Sequence, residues 1–330
     1  MNAFILFMTA KSINKRVAIV YTKNPLKKLF SMDLIRWYSM AKALAERGYI
    51  VDMVTSEGTE PRQICDNVSV VPIADAEWQS YYAVKVCYQR TIEFVPKHDF
   101  TIVRLARVVG KDVTSRDSIH HGELLRCQNI IASRACAIIV NDEANRKRWI
   151  DFYGRKTPVY LIPTGCPQDI PDIVSVPFEK KYPTALYIGQ LSSKRIIKMI
   201  NSIGALLVEK GWQLAVVGPN KTSYYCDKKY DLNLNVCNYV GPVNYDISWA
   251  YIELSDVGVA LAPGPHIFEN ETSKLYFYLR AGLPVACESR ISNLDVVAKE
   301  NAKKKDYEKT VVAALSPERE QEAKAIAEFL

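Results

Sequence analysis

The chain reads as an α/β protein of two Rossmann-like, doubly wound domains facing a cleft, and three observations predict it. Short runs rich in Val, Ile and Ala alternate throughout with segments of helical period, the pattern of parallel strands covered by helices. Six prolines (Pro158, Pro163, Pro167, Pro171, Pro177 and Pro183) crowd one stretch near the middle. Proline fixes φ and lacks an N–H, so this stretch reads as a linker. The length of 330 residues exceeds one ordinary α/β core and suits two domains of about 150 residues each. The boundary is placed at 168/169, giving domains 1–168 and 169–330.

In the first half, residues 17–21, 51–55, 101–104, 137–140 and 159–162 read as strands. Between the first two, residues 32–47 place Leu34, Ile35, Tyr38, Ala41, Leu44 and Ala45 at helical spacing and end at Gly48, a fitting C-cap. In the second half the strands read 185–188, 213–217, 236–240, 257–261 and 285–287. Ligands of such sheets bind beyond the carboxyl ends of the strands. The segments that follow each strand are therefore where chemistry is expected.

Composition is that of a globular protein, with 48% apolar and 24% charged residues. No apolar run approaches the roughly 20 residues that span a bilayer. The opening Ala3-Phe-Ile-Leu-Phe-Met8 lacks a signal peptide's basic start and cleavage site, so a cytoplasmic protein is expected. Eight cysteines without a Cys-x-x-Cys suit reduced thiols, and four histidines make a multi-His metal site an unfavoured reading. The net charge of +7 is uneven. Residues 1–168 hold 24 Lys/Arg against 16 Asp/Glu, whereas residues 169–330 hold 19 against 20. With no nucleic-acid motif present, the basic half points to an anionic acceptor or an anionic membrane surface.

The most informative stretch is Glu269-Asn-Glu-Thr-Ser-Lys-Leu-Tyr-Phe-Tyr-Leu-Arg-Ala-Gly-Leu-Pro-Val285. An acid follows a buried strand, Thr272 and Ser273 open a helix, and a Gly-x-Pro stop precedes the next strand. It resembles the nucleotide-sugar site of GT-B glycosyltransferases, above all glycosyltransferase family 4. That family has a Glu, seven intervening residues and a second Glu before a small-residue, Gly, x, Pro, Val run. Glu269 fills the first position, Ala281-Gly282-Leu283-Pro284-Val285 fill the end, and Phe277 stands where the second Glu is expected. The likeness is strong over 185–285 and moderate over 137–165. It is weak over 97–135, where an expected strand–helix unit is not legible, and the tail after Lys299 is short.

The resemblance implies a transferase that moves a sugar from a nucleoside diphosphate donor to a hydroxyl of a glycan or lipid-linked acceptor. It implies retention of anomeric configuration and no cofactor. The missing secretion signal and the basic first half lead to an expected place in the cytoplasm or peripherally at the inner face of the membrane. Glu269 is expected at the sugar hydroxyls and Lys274 at the diphosphate, with Thr272, Ser273 and Leu275 around the helix start and Phe277 at the ribose. The loop Gly189-Gln-Leu-Ser-Ser-Lys194-Arg195 resembles the family's other phosphate element. There Gly189 permits close approach, Gln190 replaces an Arg, and Lys194 or Arg195 supplies the cation. Gly218 ends the next strand, and Val240 lies in the loop expected near the base. His121, from Asp117-Ser-Ile-His-His-Gly122, is the candidate from the first domain, though the pair equally fits a surface or cap role. The basic and apolar stretch from Lys23 to Tyr38 is expected to face the acceptor or membrane, or else to pack as an ordinary core helix.

Several classes are excluded by absence from the sequence. It contains no Gly-x-Gly, no Gly-x-Ser-x-Gly and no Walker A. It also lacks the Asp-x-Asp by which other transferases hold a divalent cation, so metal-independent transfer is expected. Two alternatives stay open: a non-catalytic GT-B-fold partner with a degenerate donor site, and another sugar-nucleotide enzyme such as a 2-epimerase.

Overall fold

A computed structural model describes residues 15–26, 32–105, 107–110, 118–162, 170–191, 193–220, 231–261 and 272–288. The chain divides into two units, 1–163 and 164–330. The division read from the prolines, at 168/169, lies five residues later, within residues 163–169, which are outside the described residues.

The first unit holds an eight-stranded sheet in the order β3-β4-β2-β1-β5-β6-β7-β8. Its strands are β1 (Arg16–Tyr21), β2 (Ile50–Thr55), β3 (Arg62–Cys65), β4 (Val68–Pro72), β5 (Ala83–Val86), β6 (Thr101–Leu105), β7 (Ala137–Val140) and β8 (Val159–Leu161). Pairings are parallel except β3 with β4. Helix α1 (Met32–Ala45) covers one face, where Leu34, Trp37 and Ala41 pack on Ile19, Tyr21, Val51 and Met53. Helices α2 (Ser118–Arg134) and α3 (Glu143–Tyr153) take the opposite face through Cys127, Ile131 and Trp149. Side chains alternate across a strand, so Val84 and Val86 of β5 join the α2–α3 core while Lys85 points to the α1 face.

Three strands and one helix of this unit escape the sequence reading. β3 and β4 form a short hairpin whose turn needs Asn67 at φ 58°. The apolar run of β5 is interrupted by Lys85. Within 97–135, β6 matches the strand read at 101–104, and what the sequence hides is α2, whose Gly122 and largely polar surface blur its period. The basic and apolar stretch before Tyr38 resolves in part. Leu34, Ile35 and Trp37 are buried, so the apolar side of α1 is core.

The second unit holds a parallel five-stranded sheet in the order β11-β10-β9-β12-β13. Its strands are β9 (Thr184–Ile188), β10 (Gln213–Val217), β11 (Asn238–Gly241), β12 (Val257–Ala260) and β13 (Val285–Cys287). α4 (Lys194–Glu209) lays Ile196, Ile200, Ile203 and Leu207 on one face against Tyr187, Leu214 and Val216. α5 (Tyr245–Leu254) and α6 (Ser273–Ala281) are in contact with each other and with β9 and β12. Gly282 closes α6 in the left-handed conformation at φ 78°, the stop that its Gly-x-Pro motif predicts.

Gly258 of β12 lies under the ring of Tyr278, and a Cβ there would stand 2.5 Å from the ring. Gly258→Ala is expected to cost about 1–3 kcal/mol, as overpacking does. Urea unfolding of the variant beside the wild type measures it.

Candidate functional site

The second sheet reverses its winding at β9, which has β10 on one side and β12 on the other. A sheet of this kind opens a crevice at such a switch point, beyond the carboxyl ends of the strands. The register shows the opening: β9 and β12 pair only at Val257–Ala185 and Gly258–Leu186. Beyond that, the Tyr278 hydroxyl of α6 takes over. It accepts from the Ile188 backbone N–H at 2.9 Å and donates to the Leu186 carbonyl at 3.1 Å. One side chain thus satisfies backbone groups that the parting strands leave behind.

Two glycines floor the crevice. Gly189 and Gly218 end β9 and β10 at φ 149° and 138°, conformations that strain any other residue. A Cβ on Gly218 would stand 2.1 Å from the Gly189 carbonyl oxygen, so the two strand ends meet backbone to backbone. A Cβ on Gly189 would stand 2.9 Å from Nζ of Lys274. The ammonium also sits 4.2 Å from the centre of the Tyr187 ring, a cation–π contact. Tyr187 is held there by donating to the Gln190 carbonyl at 3.3 Å. Lys274 makes no ion pair with any described carboxylate. Burial of its amine among these groups lowers its pKa to about 8.

The sequence-predicted residues separate into three groups. The structure brings together Gly189 and Gln190 after β9, Gly218 after β10 and Lys274 in the first turn of α6. Thr272 is the N-cap of α6 and Ser273 its first residue, beside Lys274. Lys194 begins α4, after Ser193 caps the helix by accepting from the Ile196 N–H, and it is exposed. Val240 lies on the edge strand β11, half-buried and two strands from β9.

Other predicted residues are engaged elsewhere. Arg195 is buried and donates through both terminal nitrogens to the two carboxylate oxygens of Glu288, itself fully buried at the end of β13. That pair commits Arg195 to Glu288, while Lys274 is the cation placed against Gly189 at the end of β9. Leu275 is fully buried core. Phe277 packs on α5, with its ring 5.5 Å from Trp249 and 6.2 Å from Tyr245. Glu269 lies outside the described residues. His121 falls in α2 of the first unit, and its side chain is likewise outside them.

Tyr187, Tyr278 and Glu288 were not read from sequence. Tyr187 and Tyr278 sit inside apolar runs and look like core. The signal for Glu288 is a carboxylate directly after a buried strand, which requires a partner. Among the described residues, no group of three or more His, Cys, Asp or Glu side chains is placed to hold a metal ion. No described helix is long and apolar enough to cross a membrane.

Comparison with known protein families finds no match, and none is found among characterised protein sequences. Solved structures do match. Sucrose-phosphate synthase from Thermosynechococcus elongatus superposes with a TM-score of 0.71 at 15% identity, covering 95% of this chain and 89% of that one. WaaG, a glycosyltransferase involved in lipopolysaccharide biosynthesis, gives 0.65 at 14% identity over 95% and 90% of the two chains. Anabaena HepE in complex with UDP and glucose gives 0.60 at 12% identity over 95% and 89%. At these identities the likeness is one of fold, and the chain has the GT-B fold of two Rossmann-like units.

Proposed function

We propose that the protein is a glycosyltransferase using a nucleoside diphosphate sugar, with the donor bound by the second unit and the acceptor by the first. The observation that carries this reading is Lys274. Its ammonium stands at the switch point over a glycine floor, without a carboxylate partner among the described residues. A cation so placed suits a diphosphate, which must approach backbone closely and have its charge matched. The structural neighbours support the reading, since HepE is described in complex with UDP and with UDP-glucose.

In the proposed reaction the bond from the anomeric carbon to the donor's β-phosphate breaks. The acceptor oxygen bonds to that carbon on the same face, and its proton passes to the departing diphosphate. Lys274 would stabilise the charge that develops on the leaving phosphate. Lys194 and the α4 start are proposed to assist, with Glu269 at the sugar hydroxyls and His121 beside the donor sugar. No metal or cofactor is assigned. A glycan or lipid-linked hydroxyl is the proposed acceptor, and placement is proposed as cytoplasmic or peripheral to the inner membrane face.

The test is thermal unfolding with UDP, GDP and ADP, with and without magnesium. One of them is expected to stabilise the protein without metal, by about 2.7 kcal/mol at 100 times Kd. No shift with any of them, magnesium included, would sink the reading.

One observation favours a non-catalytic GT-B partner instead. Phe277 offers no acceptor for ribose hydroxyls, and its ring is committed to Trp249 and Tyr245. Phe277→Glu separates the readings. For a working transferase, the variant gains no nucleotide affinity and loses about 2–4 kcal/mol of stability by burying a carboxylate among rings. For a decayed site, wild type binds nothing and the variant gains binding. Titration calorimetry with UDP and GDP decides.

A further inference from the structure

The α1 face of the first sheet carries a group of hydrogen-bond donors that the donor site does not use. Lys85, mid-strand on β5, is 6% exposed, and its Nζ has no hydrogen-bond partner among the described residues. Trp37 of α1 is 3% exposed, and its indole N–H is likewise without one. Arg104 of β6, 8% exposed, joins them with its guanidinium 5.8 Å from the centre of the Trp37 ring. β5 and β6 are register neighbours, so Lys85 and Arg104 project from adjacent strands to the same face. Cys87, two residues on from Lys85, packs in the same cluster as Trp37.

Buried polar groups are nearly always paired, and a buried ammonium without a partner is costly. Here Lys85 and Trp37 are the groups without a hydrogen-bond partner and both are donors, while Arg104 beside Trp37 is a permanent cation. The chemistry that completes such a set is an acceptor carrying negative charge. Lys85 lies one residue short of the carboxyl end of β5, and β1 and β5 flank the point where this sheet reverses its winding.

We propose that Lys85, Trp37 and Arg104 form an oxyanion subsite for a phosphate group, carried by the molecule that the first unit binds. Calling that molecule the sugar acceptor rests on the glycosyltransferase reading; the anion site itself does not. A phosphate supplies acceptor oxygens for an ammonium, a guanidinium and an indole N–H together. It also matches the excess of Lys and Arg in residues 1–168.

The groups that bear on the Lys85 amine are Cys87, just past the end of its own strand, and Arg104 from β6. On α1, Arg36 lies 5.8 Å from the centre of the Trp37 ring. Burial lowers the Lys85 pKa to about 7, so the amine reports directly on an arriving anion.

The experiment follows the ¹³Cε resonances of labelled lysines in the full wild-type protein, assigned with Lys85→Met, during titration with inorganic phosphate. The Lys85 resonance is expected to shift saturably, with its pKa raised by a unit or more. In Lys274→Ala, which lacks the proposed donor cation, phosphate should still raise the melting temperature; adding Lys85→Met should abolish that increment. A parallel arm uses phosphatidate vesicles against phosphatidylcholine. No response of Lys85 to phosphate overturns the proposal. So does a response only to vesicles, or a phosphate increment that survives Lys85→Met. Nucleotide titration of the wild type is read separately, so a failed donor site and a failed anion subsite give different results.

Discussion

Replacing Lys274 with alanine is expected to weaken nucleoside diphosphate binding by about 30- to 150-fold. That corresponds to about 2–3 kcal/mol for charge-assisted hydrogen bonds to phosphate. The size follows from its position: the ammonium stands over Gly189, which has no side chain to come between it and the proposed phosphate. Its lowered pKa of about 8 adds a pH signature. Below pH 8 the free protein already holds the charged amine. Above it, binding must first restore the proton, so affinity should fall up to tenfold per pH unit until the amine's pKa in the complex no longer exceeds the pH. Calorimetric titration from pH 6.5 to 9.5 checks both. His121→Ala is expected to leave this binding intact and to lower turnover. Small and equal effects from the two changes would place the donor elsewhere.

Lys85→Met is expected to stabilise the protein in phosphate-free buffer, by about 3–5 kcal/mol at pH 7. The sign comes from linkage. The folded pKa of about 7 lies below the ordinary 10.5 of an unfolded lysine, so the unfolded chain holds this proton more tightly. The destabilisation is therefore complete below pH 7. It fades as the pH rises from 7 towards 10.5, where neither state binds the proton. The gain from methionine should fall to about 2 kcal/mol at pH 9. Urea unfolding of both proteins at pH 6.5 and 9 measures it. A gain that does not change with pH would mean that Lys85 is solvated in the folded state. Methionine fills the same straight volume without a charge, so packing is largely conserved.

The two residues show opposite sides of one physical problem. Both are lysines whose amines lose water on folding, and both titrate below the ordinary range for that reason. Lys274 sits at a strand-end crevice that backbone glycines keep open, the setting for a ligand's charge. Lys85 sits under a helix among hydrophobic side chains, where stability is given up unless an anion completes the set. The cost of burying that cation without a partner is what the proposed anion subsite would offset.

By itself, the sequence determined what local chemistry can determine. Strands of the second unit follow from apolar runs such as Val257-Gly-Val-Ala260, and they are found within two residues of their expected ends. Glycine placed the C-terminal stops after α1 and α6, because positive φ is open to it at little cost: Gly48 adopts 83° and Gly282 78°. The Glu269–Val285 motif points to the GT-B fold, and the same motif marks Lys274 as the expected phosphate cation. Short elements were less legible, since β5 is four residues with a lysine inside it and β3–β4 is a hairpin with little periodicity.

Only the tertiary structure decided which distant residues meet. Lys274 reaches Gly189 and Tyr187 across more than 80 residues of chain because β9 and β12 are neighbours at the switch point. Arg195, expected at phosphate, is instead claimed by Glu288, 93 residues away. Phe277, which falls where the family has a carboxylate, turns to the rings of α5. Whether Lys85 lies in water or inside was equally undecidable from composition, because strand alternation sets its face while sheet order sets what lies above it. Periodicity is a property of neighbours in sequence. Charge pairing, desolvation and the width of a crevice are properties of neighbours in space, and sheet order creates those neighbours.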